Sequence, residues 1–210
     1  MQLLGKLVIK SKKKIIEFLN KEPTGRISSI DENGYPQIIP MNFVFINDSV
    51  YMHSHTKGEK LDNIKRNLKV GFEVDRNLEF LPSYFFDPND ASVADTLYIS
   101  VVIKGEARII SDVEEKILAL NALMKKYQPE GKYEPMNGSM EVLEAVAVIK
   151  IIPKEINGKY KIGQNMTIQE RIELAENILK KNSKTSLETL EVMGFTIEDG
   201  KPVLKTNEEW

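Results

Sequence analysis

The chain of 210 residues contains no cysteine. This absence excludes disulfide bonds, thiol nucleophiles, iron–sulfur clusters and zinc sites built on cysteine. Long hydrophobic runs are also missing, since no apolar stretch approaches the roughly 18 residues that a membrane-spanning helix needs. The opening residues, MQLLGKLVIKSKKK, lack the charged, apolar and small-residue order of a signal peptide. We therefore expect a cytoplasmic protein with no membrane partner.

The chain also lacks an excess of positive charge. The chain carries 29 Lys and Arg residues against 31 Asp and Glu residues, which gives a net charge of −2 at pH 7. No surplus of cations is available to neutralise phosphates, so we expect no nucleic-acid partner. With 12 glycines, 9 prolines and 41% hydrophobic residues, the composition indicates a globular chain with a packed core rather than a disordered one.

The first half of the chain predicts one helix followed by antiparallel strands. A helix over residues 11–20 precedes a hairpin at Asn33-Gly34, because both turn residues tolerate a positive φ. The next strand, residues 35–46, is apolar on both faces, as in a sheet that is covered by helices or closed into a barrel. Pro36 and Pro40 cannot donate to a strand ladder, so we expect this strand at an edge or in a bulge.

The rest of the chain predicts more strands and helices without the alternation of a doubly wound sheet. Strands are expected at residues 50–55, 69–74, 97–110 and 145–152, with a kink at Gly105. Helices are expected at residues 56–67 and 111–127 and at two C-terminal segments, and four residue pairs have capping-box spacing, namely Thr56/Glu59, Asp112/Glu115, Thr167/Glu170 and Thr185/Glu188. Residues 76–96 are expected to form a long irregular loop, which indicates a lid or a binding segment. A last hairpin turns at Asp199-Gly200. The order predicts an α+β fold.

The two histidines, His53 and His55, lie two residues apart on one predicted strand, so both imidazoles point to the same face. They could bind a metal together, although only Asp or Glu could complete the ligand set. They could act as acid–base groups, or line a ligand cleft as neutral polar residues. They could also be ordinary half-buried residues of a strand.

Residues 53–60, HSHTKGEK, lead from the end of a strand into the start of a helix. A helix start offers unpaired N–H groups and the positive end of the helix dipole, and Lys57 and Lys60 add two full charges. This combination suits a phosphate monoester, although the spacing is not that of a Walker loop. A solvated, lysine-rich helix start is the alternative.

A longer string, GYPQIIPMNFVFINDSVYMHSHTKGEKLDNIKRNLKVGFEVD, resembles the FMN-binding split-barrel family. Within that family it is most similar to the pyridoxamine 5′-phosphate oxidase-like group that contains the nitroimidazole-resistance proteins. The shared features are the strand from Pro36 to Asn42, the aromatic, His, Gly and Lys spacing from Tyr51 to Lys60, and the V-x-F-E-V strand. Downstream, YISVVIKGEARIISDVEEKILALNALMKKY is similar to a further pattern of the family, and Lys161 to Asn165 resembles its K-x-x-Q-N segment.

The resemblance implies an antiparallel split β-barrel over residues 1–155, with peripheral helices and a C-terminal helical extension over residues 156–210 packed on the barrel. It also implies a homodimer with FMN at the interface. The implied cofactor contacts are Met41, Asn42 and Phe43 along the isoalloxazine, His53, Ser54 and His55 at the flavin and ribityl chain, Lys57, Lys60, Ser100 and Val101 at the phosphate, and Gln164 and Asn165 in the later segment. Ile99 stands where many relatives carry an arginine, so we expect one phosphate contact fewer.

These expectations combine into a homodimeric FMN-dependent oxidoreductase that acts on a small molecule, with His53 or His55 as the catalytic polar group beside the substrate. Two alternatives stay open. The protein could bind flavin or haem without turnover, or it could be a metal-dependent enzyme that uses His53 and His55.

Overall fold

The computed structural model describes residues 5–205 and contains a mixture of helices and strands. Within these residues, the strands are β1 (Thr24–Ile30), β2 (Pro36–Asn42), β3 (Val44–Ile46), β4 (Ser49–His55), β5 (Lys69–Leu81), β6 (Asp95–Ile110), β7 (Val146–Lys161), β8 (Phe195–Glu198) and β9 (Lys201–Leu204). The α-helices are α1 (Lys12–Lys21), α2 (Glu59–Arg66), α3 (Val113–Tyr127), α4 (Val142–Ala145), α5 (Ile168–Lys181) and α6 (Ser186–Val192). No helix in this part of the chain is long and apolar enough to cross a membrane.

Seven strands form one sheet in the order β2-β1-β5-β6-β7-β4-β3, and β8 and β9 form a separate hairpin. The pairs β1–β2, β1–β5, β3–β4 and β4–β7 are antiparallel. This arrangement confirms the α+β class with an antiparallel sheet. The sheet is not closed into a barrel in this structure, so the barrel itself stays an expectation. The position of β2 at the end of the order confirms that Pro36 and Pro40 mark an edge strand.

The chain divides into two compact units. The first unit contains the described residues up to Lys14, then Asp75–Ser100 and the residues from Gly158 onward. The second unit contains Ile15–Val74 and Val101–Asn157. The division expected between residues 155 and 156 falls inside β7, a strand of 16 residues. The outer ends of the two expected domains, residues 1–4 and 206–210, lie outside the described residues.

In the second unit, helix α3 packs its apolar face on strands β3 and β4. Asp112 is the N-cap of the helix, and its side chain accepts a hydrogen bond from the Glu115 amide at 2.7 Å. The Glu115 carboxylate does not return the bond that would complete a capping box, because it accepts from Tyr51 and Lys150 instead. Its buried residues join residues of the sheet in one cluster, which contains Val44, Tyr51, Ala119, Leu120, Leu123, Leu143 and Val148. This packing holds strand β4 in place, and the end of that strand carries His53 and His55.

The single strand expected over residues 35–46 is wrong, because the chain leaves one edge of the sheet at Asn42 and joins the other edge at Val44. Phe43 lies at the crossing and is fully buried. Its amide donates a hydrogen bond of 2.8 Å to the Tyr127 hydroxyl, which in turn donates to the Pro23 carbonyl at 2.6 Å. A buried peptide N–H without a ladder partner needs such a substitute. The helix-borne tyrosine therefore makes the crossing possible.

Of the four expected capping boxes, one forms in full, Asp112/Glu115 forms only its N-cap half, and two do not form. Helix α2 begins at Glu59 after Gly58, and no side chain caps it, so the Thr56/Glu59 pair does not act as a box. Thr185 is the N-cap of α6 but makes no capping bond, because its hydroxyl donates to Glu79 at 2.9 Å. At Thr185 a competing tertiary partner thus overrides the local spacing. The reciprocal box of Thr167 and Glu170 at α5 is confirmed.

The loop expected over residues 76–96 is shorter at both ends in the structure. Strand β5 runs on to Leu81 and β6 begins at Asp95, so residues 82–94 remain, with short 3-10 turns at Ser83–Phe85 and Ala91–Val93. The hairpins at residues 33–34 and 199–200 are confirmed. At the first turn only Gly34 has a positive φ, since the Asp31 carboxylate accepts bonds from the Asn33 and Tyr35 amides.

In the first unit, Glu79 fastens the connection between α5 and α6 to strand β5. Its nearly inaccessible carboxylate accepts hydrogen bonds from Lys181 at 2.7 Å and from Thr185 at 2.9 Å. Burial alone would raise the pKa of Glu79, but the hydrogen bonds from Lys181, Ser183 and Thr185 outweigh it and hold the pKa below its ordinary value.

Candidate functional site

A cleft of about 370 Å³ in the second unit collects four of the expected cofactor contacts. We call it the β2–β4–α2 cleft after the elements that form it. Its lining residues are Gln37, Ile39, Ser54, His55, Lys57, Gly58, Glu59, Lys60 and Leu61. Strand β2 supplies one wall through alternate residues, and the end of β4 with the first turn of α2 supplies the other. A cleft of this size that combines apolar side chains with several polar and charged groups suits a small-molecule ligand.

Lys60 is the half-buried cation of the cleft. Its Nζ lies 3.3 Å from the sulfur of Met41, and burial lowers the pKa of the ammonium group below its ordinary value. Within the residues that the structure describes, no carboxylate forms an ion pair with Lys60. A thioether is only a weak acceptor. The ammonium group therefore has room for an anionic partner and would be stabilised by one.

The turn between β4 and α2 presents its polar groups to the same cleft. The Lys57 amide donates to Nδ1 of His55 at 3.3 Å, and the Ser54 hydroxyl donates to the His55 carbonyl at 2.9 Å. Because Nδ1 accepts this bond, Nε2 is the ring nitrogen that can donate to a ligand. Gly58 has φ 143° with open space where a side chain would begin, so the helix start remains accessible.

Gln37 lines the cleft and was not among the residues expected from the sequence. Asn63 of α2, which is almost fully buried, donates from its amide group to the Gln37 side-chain oxygen at 3.3 Å and lies 3.4 Å from the Ser29 hydroxyl. Asn63 also accepts a hydrogen bond from Arg66 at 3.2 Å. Since the oxygen of Gln37 is engaged, its NH₂ group is the part free to meet a ligand acceptor. Its even spacing with Ile39 and Met41 along β2 was the available signal.

Several expected contacts lie outside the cleft lining. The Phe43 and Val101 side chains are fully buried, and the Phe43 ring packs edge-on against Phe72 with the Lys126 ammonium 3.7 Å from its centroid. Asn42 is exposed at the end of β2, and His53 is exposed on β4. The structure therefore places the Phe43 ring in the core rather than on an open surface.

Three further expected contacts belong to the first unit. Ser100 is half-buried on β6, and Asn165 is exposed before α5. The Gln164 side chain accepts from the Ile162 amide at 2.9 Å and donates to the carbonyls of Tyr160 at 3.0 Å and Lys6 at 3.1 Å. These bonds give Gln164 a structural role in holding the N-terminal segment to the end of β7.

For the alternative of a metal site, the described residues supply no third ligand beside the two histidines. Across residues 5–205, no group of three or more His, Cys, Asp or Glu side chains is placed to hold a metal ion. Two imidazoles without a third protein ligand fall short of the usual zinc sets.

Comparisons with known proteins agree with the architecture. A protein-family model described as pyridoxamine 5′-phosphate oxidase matches residues 11–160. A candidate 5-nitroimidazole antibiotic resistance protein from Bacteroides thetaiotaomicron is 25% identical, with a TM-score of 0.61 over 73% of this chain and 86% of that one. Among curated protein sequences, no match is found.

Two more distant structures share the fold. A flavocytochrome from Azotobacter vinelandii is 19% identical, with a TM-score of 0.64 over 77% of this chain and 72% of that one. The FAD- and haem-binding protein from Mycobacterium smegmatis is 18% identical, with a TM-score of 0.61 over 72% of this chain and 71% of that one.

Proposed function

The chain belongs to the pyridoxamine 5′-phosphate oxidase family, and from that premise we propose that it binds FMN in the β2–β4–α2 cleft and acts as an oxidoreductase on a small molecule. The observation that carries the proposal is Lys60, a half-buried ammonium group whose contact is the sulfur of Met41. A phosphate monoester would replace that weak contact with a charge-assisted hydrogen bond.

The remaining groups of the cleft suit the other end of the same ligand. Ile39 lines the cleft and the sulfur of Met41 lies next to it at Lys60, so these two residues offer an apolar surface on which a flat ring system would lie. Gln37 and the Nε2 group of His55 offer hydrogen-bond donors to ring or ribityl oxygens, and Asn63 holds Gln37 in place. Lys57 adds a second, exposed positive charge at the mouth. When bound, flavin supplies one- or two-electron transfer between a donor and an acceptor.

His53 is our candidate for the group beside the substrate. It is exposed on β4 and shares a strand face with His55, from which it is two residues removed. In this role it would orient a polar substrate or exchange a proton with it. We also propose that the protein works as a homodimer, in which a second copy covers the open side of the cleft and the flavin.

The test compares ligands that differ only in the phosphate. FMN and riboflavin are titrated into the wild-type protein, Lys60→Ala and Lys65→Gln, with quenching of flavin fluorescence as the measurement. We expect Lys60→Ala to weaken FMN binding by about tenfold to a hundredfold, the loss of a charged hydrogen bond, and to leave riboflavin binding unchanged. Lys65 lies on the same helix, outside the cleft, in an exposed pair with Asp62, so its variant is the matched control.

Each other outcome has a definite meaning. Equal FMN affinity in Lys60→Ala and the wild type would remove Lys60 from the phosphate site. Absence of flavin binding by the wild type would overturn the proposal as a whole. A Soret band in the purified protein would favour a haem-binding function instead, and bound flavin that passes electrons to no acceptor would favour binding without turnover.

A further inference from the structure

A second cleft, of about 360 Å³, lies in the second unit over strands β1, β5 and β6. Its lining residues are Ser28, Ile30, Lys69, Val70, Gly71, Lys104, Gly105, Glu106 and Lys154. We call it the lysine cleft, because three of these nine residues are lysines from three different strands. None of them belongs to the β2–β4–α2 cleft.

The strand register places the two clefts on opposite faces of the sheet. Ser28, in the lysine cleft, pairs with Ile38 of β2, whereas Gln37, in the other cleft, pairs with Ser29. Directly paired residues of antiparallel strands point to the same face, and neighbours along a strand point to opposite faces. A ligand in the lysine cleft is therefore separated from the proposed flavin by the sheet itself.

Lys69 is the cation of the lysine cleft that lacks a counter-charge. Lys104 pairs with Glu155 at 3.0 Å, and Lys154 lies 3.8 Å from Glu106. Among the residues described, no carboxylate pairs with Lys69, whose backbone amide alone has a side-chain partner, at Asn67. With Lys104 held by Glu155 and Lys154 near Glu106, the charge of Lys69 gives the cleft a net positive charge that attracts anions.

Gly71 gives the cleft its depth. A Cβ atom at this position would meet only the Ser28 Cβ, at 3.7 Å, which is ordinary contact. The space above Gly71 is therefore open because the residue has no side chain, and not because the backbone requires glycine there. The side chain of Ile30, which is 37% exposed on the same face as Gly71, stands beside this space, whereas the Val70 side chain points into the core on the opposite face. An apolar wall next to an unpaired cation suits a ligand that has an anionic group and an apolar body.

From this geometry we infer a second ligand site, for a small organic anion with an apolar body. The carboxylate, sulfonate or phosphate of the ligand meets Lys69, and the apolar body lies over Gly71 against Ile30. The site is independent of the proposed flavin function.

The test uses two fluorescent probes that share one apolar body. 8-Anilinonaphthalene-1-sulfonate carries the anionic group, and N-phenyl-1-naphthylamine lacks it. We expect the wild-type protein to bind the sulfonate more tightly than the neutral probe. Lys69→Gln weakens sulfonate binding by about tenfold, the effect of one nearby charge, and Lys69→Arg retains it. Gly71→Val fills the cleft and weakens both probes.

Variants in the other cleft separate the two sites. Lys57→Gln and Lys60→Ala leave sulfonate binding unchanged if the probe occupies the lysine cleft. Binding that is lost in these variants and kept in Lys69→Gln would overturn the inference. Equal sulfonate affinity in wild type, Lys69→Gln and Gly71→Val would also overturn it. Lys69 is exposed, so its variant keeps the test valid even where Gly71→Val disturbs the fold.

Discussion

At the scale of single residues, the half-buried ammonium group of Lys126 lies outside both clefts and is perturbed by its surroundings. It lies 3.7 Å from the centroid of the Phe43 ring and donates to the Leu19 carbonyl at 3.0 Å. Burial lowers the pKa of Lys126 to about 8, and the Glu22 carboxylate offsets only part of this effect. The folded state thus binds the proton less tightly than the unfolded chain does.

This difference predicts that stability rises with pH between about 8 and 10.5, the folded and ordinary pKa values. In this window the unfolded chain binds more protons than the folded one, so raising the pH favours folding. Because the ammonium is partly open to solvent, we expect a gain of about 1 to 2 kcal/mol. The measurement is the free energy of unfolding in urea at several pH values, as the difference between wild type and Lys126→Met.

The neighbouring Lys125, which is exposed, provides the control. Lys125→Met should follow the pH dependence of the wild type, whereas Lys126→Met should lose the rise. Parallel curves for all three proteins would show that Lys126 keeps an ordinary proton affinity.

At the scale of secondary-structure elements, the crossing at Phe43 depends on one hydroxyl group of α3. Tyr127→Phe removes the acceptor of the Phe43 amide and the donor to the Pro23 carbonyl, and keeps the ring. An unsatisfied buried N–H costs about 1 to 3 kcal/mol. We expect a loss of that size in the free energy of unfolding, measured by urea denaturation. Tyr35→Phe, at a tyrosine that is 70% exposed, should change the stability little, and a similar small change for Tyr127→Phe would contradict this role.

The same elements show how far local sequence patterns can predict this fold. Periodicity and turn chemistry predicted α1, α3, the two hairpins and the Thr167 capping box, since each depends on residues close in sequence. They could not predict that β2 and β3 would separate, because the partner of Phe43 is 84 residues away at Tyr127. They likewise placed the start of α2 too early, where Gly58 and not a side chain begins the helix.

The candidate site divides in the same way. Ser54, His55, Lys57 and Lys60 were predictable because they are contiguous and the resemblance pointed to them. Gln37 was not, since its importance rests on a contact between β2 and Asn63 of α2, 26 residues away. The lysine cleft could not be seen either, because its three lysines meet only when β5, β6 and β7 are placed side by side.

At the scale of the whole molecule, the edge strand β2 presents apolar side chains to solvent. Ile38 is 62% exposed, and Tyr35, just before the strand, is 70% exposed. With a net charge of −2, little electrostatic repulsion opposes contact between two copies. An exposed apolar edge next to a ligand cleft is a typical site of self-association. This is the surface on which we expect the proposed homodimer to form.

Ile38→Lys therefore tests the homodimer and the position of the flavin together. A lysine at the centre of an interface would leave a charge without a partner, so we expect the variant to sediment as a monomer in analytical ultracentrifugation. Leu187→Lys, at a leucine that is 63% exposed on α6, is the matched control and should remain dimeric. The Ile38 side chain lies on the face opposite to Gln37, so Ile38→Lys, which leaves Lys60 in place, binds FMN more weakly only where the interface also extends around the edge strand to the flavin. A monomeric variant with full FMN affinity would place the flavin within one chain, and a variant that stays dimeric would move the interface away from β2.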